Sequence, residues 1–91
     1  MLTLNSTIVR NKNITWEVIE EKAILLNPEE AEILQLDKVG AEIWNCIGAK
    51  KRVSELIEHI INVFQVNKKT ATRDCLSFLN KLNAFGAVRE I

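Results

Sequence analysis

The stretch from Ile14 to Trp44 constrains the fold of this chain most, because its pattern predicts three short strands that lead directly into a helix. The outer two strands alternate apolar and polar residues, which is typical of half-buried strands. The middle strand is an unbroken apolar run, which is typical of a strand that is flanked and covered. The pattern predicts strands over residues 14–19, 23–26 and 31–36.

Short polar links join these strands, residues 20–22 and 27–30. Links this short favour an antiparallel meander, which leaves the first and third strands as edges. An edge strand presents unpaired backbone N–H and C=O groups, so it is either an aggregation hazard or a docking site for an extended peptide. We interpret the third strand as a docking site.

Three helices follow the strands, with apolar residues at helical spacing and good capping residues at their ends. They are predicted over residues 38–47, 55–64 and 68–85, with Asp37, Ser54 and Asn67 as N-caps and Gly48 and Gly86 at the ends of the first and third. Residues 49–52 read as a basic turn, and residues 87–88 as a short closing strand. This order predicts an α+β, winged-helix-like domain with an N-terminal three-stranded antiparallel sheet followed by three helices.

The chain of 91 residues has the size of one domain. We expect residues 1–12 to be a flexible lead-in that forms an extra strand or swings against another copy, because Ile8-Val9 is their only apolar pair. Residues 13–91 then form the single folded domain.

Composition argues against several classes of function. Twelve basic residues balance twelve acidic ones, so the long-range field of a general nucleic-acid binder is missing. Cys46 and Cys75 lie far apart beside a single histidine, His59, which argues against a metal site. No secretory or membrane-spanning segment and no catalytic triad or phosphate loop is visible, so we expect a cytoplasmic, non-enzymatic protein without a cofactor.

The third helix carries more apolar surface than a surface helix needs. One stripe, predicted to anchor it, is Ala71, Cys75, Phe78, Leu82 and Phe85. A neighbouring stripe places Leu76 and Leu79 among Thr72 and Asn83. Two interpretations follow: both stripes are core, or the second stripe is one wall of an open groove whose other wall is the third strand.

Several short signatures, spaced in order along residues 14–88, resemble those of a known family. They are Trp16-Glu17, Leu25-Leu26, Pro28-Glu29, Leu36, Ile43-Trp44, Val53, Leu56, Asp74-Cys75, Phe78-Leu79, Leu82 and Gly86. Together they resemble the PqqD-like family, the precursor-peptide recognition elements of ribosomally made, post-translationally modified peptides.

The resemblance implies a winged-helix fold that binds the leader segment of a precursor peptide as an added strand, on the third strand and against the third helix. By position, the strand contacts are Glu32, Ile33, Leu34, Gln35 and Leu36, of which Leu34 and Leu36 either face the peptide or point into the core and contribute only backbone. The helix contacts are Arg73, Leu76, Leu79, Asn80 and Asn83, beside Thr72 on the second stripe.

Leu36-Asp37 and Ile43-Trp44 are similar to the stand-alone members of lasso-peptide clusters, which pass the leader to a leader peptidase and then to a cyclase. One alternative is a peptide chaperone that works with a radical SAM enzyme, in the synthesis of pyrroloquinoline quinone or of another modified peptide. A winged-helix DNA binder and a subunit that forms a homodimer through an edge strand are hypotheses of other classes.

Overall fold

Two antiparallel three-stranded sheets and three helices make up the fold. The computed structural model describes residues 1–48 and 50–91. Its elements are β1 (Thr7–Arg10), β2 (Thr15–Ile19), β3 (Lys22–Asn27), β4 (Glu32–Leu36), α1 (Lys38–Ile47), β5 (Lys51–Arg52), α2 (Val53–Phe64), α3 (Lys68–Phe85) and β6 (Val88–Glu90). The predicted α+β class, with its antiparallel meander followed by three helices, is confirmed.

The meander has the strand order β2-β3-β4. Leu25 of the central strand lies opposite Trp16 on one side and opposite Leu34 on the other. Because side chains alternate across a strand, this register turns Ala23 and Leu25 of β3 into the core. Within the described residues, β2 and β4 each pair on one side only, as predicted for the two edges.

Capping side chains define the starts of α1 and α3. The Asp37 carboxylate accepts a hydrogen bond from the Gly40 N–H at 2.8 Å, and the Asn67 side chain accepts from the N–H groups of Lys69 and Thr70. Each satisfies backbone donors that have no partner in the first helical turn. Gly86 ends α3 with φ +90°, in the left-handed region that glycine adopts without strain. Both predicted caps and the predicted glycine stop are confirmed.

The start of α2 differs from the prediction. The helix begins at Val53 after Arg52, and no side chain caps it, so Ser54 lies inside the helix. The N–H groups of Val53 and Ser54 donate instead to the backbone carbonyls of Ser6 and Leu4. A distant backbone segment therefore satisfies the donors that a capping side chain would otherwise take.

Residues 1–12 contain the extra strand that was one of the two predicted outcomes, but the predicted boundary between a flexible lead-in and a domain over residues 13–91 is wrong. β1 pairs with β5 and β6, which makes it the central strand of the second sheet. The side chains of Leu2 and Ile8 are buried in the same core as the helices. The predicted closing strand is confirmed as β6. Part of the predicted basic turn forms β5, while Ala49 lies outside the described residues.

Candidate functional site

The free edge of β4 carries the most exposed apolar side chain of the sheet. Ile33 is 66% exposed, and Glu32 and Gln35 are also exposed. Leu36 is buried, so its side chain points into the core and only its backbone is available to a peptide. Leu34 is half-buried against the core. β4 therefore combines an unpaired backbone edge with an apolar side chain in solvent, which is a surface that binds extended peptides.

Two contacts position α3 relative to the ends of β3 and β4. At one end, the buried Asn27 amide donates to the Phe85 carbonyl at 2.9 Å, and Asn27 lies opposite Glu32, the first residue of β4. At the other end, Phe78 approaches α1 so closely that a Cβ on Gly40 would lie 3.0 Å from the ring. The flank of α3 that bears Phe78 therefore faces the start of α1, directly after β4.

An apolar cavity opens between the three helices, beside the residues that follow β4. Its walls are made by apolar side chains that include Val39, Ile43, Phe64 and Phe78. Two carboxylates, Asp37 and Asp74, lie at the same cavity, and no lysine or arginine lines it. The arrangement suits an apolar side chain of a peptide, with a basic group favoured next to it.

The predicted placement of Leu79 on the groove wall is wrong, because its side chain is fully buried. The buried residues of α3 are Ala71, Cys75, Leu79 and Leu82. Phe78 and Phe85, predicted to anchor the helix, are only half-buried. Compared with the predicted stripe, the buried stripe of α3 includes Leu79 and leaves Phe78 and Phe85 at its margin.

Three other predicted helix residues lie on the flank of α3 that faces the N-terminal segment. Thr72 lines a shallow cavity together with Leu4 of the N-terminal segment. The Asn80 side-chain oxygen accepts a hydrogen bond from the Leu2 N–H at 2.9 Å, and the half-buried Leu76 lies one turn from each of them. The N-terminal segment packs on this side of the helix, and contact of Thr72, Leu76 and Asn80 with a peptide stays a prediction.

The last two predicted helix residues are exposed. The Arg73 guanidinium pairs with the neighbouring Asp74 carboxylate at 3.2 Å, and Asn83 lies near the end of the helix. Their contact with a peptide stays a prediction, as does that of the β4 residues.

Sequence reasoning missed the wall that the structure places just after β4. It is formed by Phe78, with Asp74, Val39 and Gly40 around the cavity. A signal was present, because Phe78 and Phe85 are seven residues apart and so share one flank of the helix. That Val39 and Gly40, which follow β4, lie at the same cavity as Phe78 depends on tertiary packing.

The titratable groups outside this groove form no nucleophilic arrangement among the described residues. His59 Nε2 lies 2.7 Å from Glu42 Oε2, a pair that the sequence did not suggest. Burial raises the pKa of the Cys46 and Cys75 thiols, which favours the protonated, unreactive form. No described group of three or more His, Cys, Asp and Glu residues could hold a metal ion. No helix in the described ranges is long and apolar enough to cross a bilayer.

Residues 22–88 match the family model for coenzyme PQQ synthesis protein D (PqqD). The chain belongs to the PqqD family. The matched range runs from the start of β3 to the start of β6, so it includes the β4 edge and all three helices. The predicted family is confirmed.

A solved structure has the same fold as this PqqD-family chain. It is TbiB1 in complex with the TbiA(beta) leader peptide, with a TM-score of 0.80 and 24% sequence identity. The match covers 89% of this chain and 94% of that one. No curated protein has a sequence that matches this chain.

Proposed function

We propose that this PqqD-family chain is a non-catalytic adaptor that binds the leader segment of a ribosomally made precursor peptide and presents it to the enzymes that process it. The observation that carries the proposal is the free edge of β4 beside an apolar, carboxylate-rimmed cavity. The fold shared with a protein solved in complex with a leader peptide supports it.

The leader adds to β4 as a fourth strand of the meander. Backbone groups of residues 32–36 pair with the leader backbone, which supplies affinity that depends little on the leader sequence. Ile33 packs against a neighbouring side chain of the leader on the exposed face. One apolar leader side chain enters the cavity between Val39 and Phe78, and this contact supplies the choice of sequence.

A pathway of the lasso-peptide type is the finer part of the proposal, with a separate leader peptidase as the partner that receives the bound leader. Ile43-Trp44 supports this assignment, and so does the fold shared with TbiB1. Adaptor function without catalysis fits the half-buried Cys46 and the buried Cys75, because the raised pKa of each thiol makes it a poor nucleophile. Free cysteines also agree with a cytoplasmic setting.

Binding of the leader encoded by the neighbouring precursor gene tests the proposal. Fluorescence polarisation with the labelled leader should give saturable binding in the micromolar range or tighter, and a scrambled leader should not compete. Amide NMR spectra should show the largest changes at residues 32–36 and around Phe78. Absence of binding at tens of micromolar overturns the proposal.

An edge-strand homodimer would occupy the same surface, and the same samples distinguish it. Light scattering should give the mass of a monomer for the free protein. A dimer that dissociates on addition of leader would mean that self-pairing competes for β4. A dimer that persists, with residues 32–36 unperturbed by leader, would contradict strand addition at this edge.

A further inference from the structure

A second, chemically different cavity lies on the β2 side of the meander. The Arg10 guanidinium carbon sits 4.5 Å from the centre of the Trp44 ring and 4.9 Å from that of Trp16. The two rings meet edge to face, with centroids 5.9 Å apart and planes at 82°. The guanidinium is thus held by cation–π contacts with both tryptophans, and these contacts do not use its N–H donors, which remain available for hydrogen bonds.

Two buried donors in this cluster have no hydrogen-bond partner within residues 1–48 and 50–91. One is Arg10 Nε, and the other is the indole Nε1 of Trp44, a residue that is fully buried. One Arg10 terminal nitrogen donates to the Trp44 carbonyl, so the side chain is held in place while its Nε remains free. Buried donors without partners are rare in folded proteins, because each carries an uncompensated desolvation cost.

The charge of the surroundings points to an anion. Arg10, Lys12 and Arg89 line the cavity, and no aspartate or glutamate is among its lining residues. No carboxylate of the described residues forms an ion pair with Arg10. Burial lowers the pKa of the Arg10 guanidinium, because desolvation disfavours its charged form. The chain as a whole carries no net charge, so this positive cluster is local.

We propose that the cavity of Arg10, Trp16 and Trp44 is a binding site for a carboxylate presented by a peptide or protein partner, separate from the β4 groove. A carboxylate would accept hydrogen bonds from the Arg10 guanidinium and from the unpartnered Trp44 indole N–H, and Lys12 and Arg89 would attract it. The source is an aspartate or glutamate side chain or a chain terminus. The site does not depend on what binds at β4.

NMR titration of the ¹⁵N-labelled protein tests the site with small probes. N-acetylglutamate α-amide carries only a side-chain carboxylate, N-acetylglycine carries only a terminal one, and N-acetylglutamine amide carries none. The chain has two tryptophans, so two indole N–H signals report on the cavity, and Trp16→Phe assigns them. We expect saturable shifts of the Trp44 indole N–H and the Arg10 Nε–H with one or both carboxylates, in the millimolar range, and none with the amide.

Arg10→Lys keeps the positive charge but removes the Nε donor, and it should abolish the saturable shift. Arg52→Lys is the matched control, because Arg52 is exposed on neighbouring β5 and does not line the cavity. If Arg10→Lys does not fold, Lys12→Gln/Arg89→Gln serves instead, since both residues are exposed, and it should weaken binding about threefold at low salt.

Three results overturn the proposal. The first is the absence of a saturable shift with either carboxylate. The second is a shift that Arg10→Lys, or the double variant where that protein is used, leaves unchanged. The third is binding of inorganic phosphate without binding of the carboxylates, which would indicate a site for nucleic-acid or other phosphate groups. A response to only one carboxylate supports the proposal and identifies the source.

Discussion

The two edges of the meander have the same backbone and opposite chemistry. β4 leads into α1, where the nearby cavity is apolar and bears the carboxylates Asp37 and Asp74. β2 lies beside β1 and α1, where the cavity holds Arg10 between two tryptophans and bears no carboxylate. Each edge offers unpaired backbone groups, so the side chains packed beside it decide which partner it favours.

This difference shows how a small domain can hold two partners apart. A strand added at β4 lies on the far side of β3 from the Arg10 cavity. A leader with a basic residue near its apolar anchor would be favoured at β4 and repelled from the cavity near β2, and an acidic segment would show the reverse preference.

The largest expected effect tests whether Leu79 belongs to the buried stripe of α3, which lies between the two flanks of the helix. Leu79→Asp should abolish cooperative folding, because placing a carboxylate at a fully buried site costs about 3 to 5 kcal/mol or more, much of the stability of a small domain. Thermal unfolding followed by circular dichroism measures it. Leu76→Asp, at a half-buried position, should retain a transition. If the Leu79→Asp protein is stable, Leu79 belongs to the groove and not to the core.

The next effect distinguishes the flank of α3 that bears Phe78 from the flank that faces the N-terminal segment. Phe78→Ala should weaken leader binding about tenfold or more, because it removes an aromatic wall of the cavity. Leu76→Ala is the matched control on the other flank and should change the affinity less than about twofold. Fluorescence polarisation measures both. Equal losses would mean that the leader spans α3, and a larger loss in Leu76→Ala would reverse the assignment.

The smallest effect compares the two edges directly. Ile33 on β4 and Ile19 on β2 are both exposed isoleucines on edge strands, at 66% and 51%. Replacing either with threonine keeps a β-branched side chain and should leave the melting temperature nearly unchanged. Ile33→Thr should weaken leader binding about threefold, through loss of one cross-strand apolar contact. Ile19→Thr should have no effect on binding. The opposite result would place the leader on β2.

Local patterns predicted most of the elements. α1 and α3 span the predicted residues, and the caps Asp37 and Asn67 and the stop at Gly86 are the predicted ones. These features depend on neighbours in the chain, which is why the sequence shows them. The start of α2 was misplaced because the backbone of residues 4–6 satisfies its first donors, a contact between distant segments.

The candidate site was predicted only in part, because one of its sides depends on local sequence and the other on contacts between distant segments. The free edge of β4 follows from three strands with short links, and it was found. The face of α3 at the nearby cavity was not, because a wide apolar arc does not show which of its margins lines that cavity. Asn27 ties the end of α3 to β3 by donating to the Phe85 carbonyl, and the N-terminal segment contacts the other margin of the helix through Leu2 and Asn80.

The sequence by itself determined that this chain forms a meander followed by three capped helices, with an edge strand left unpaired. Periodicity and capping are local, so they can be read one segment at a time. The tertiary structure alone decided that the N-terminal strand completes a second sheet, that Phe78 and not Leu79 borders the groove, and that Arg10 lies between Trp16 and Trp44. Each of these joins residues far apart in the chain, and the packing of one shared core selects them.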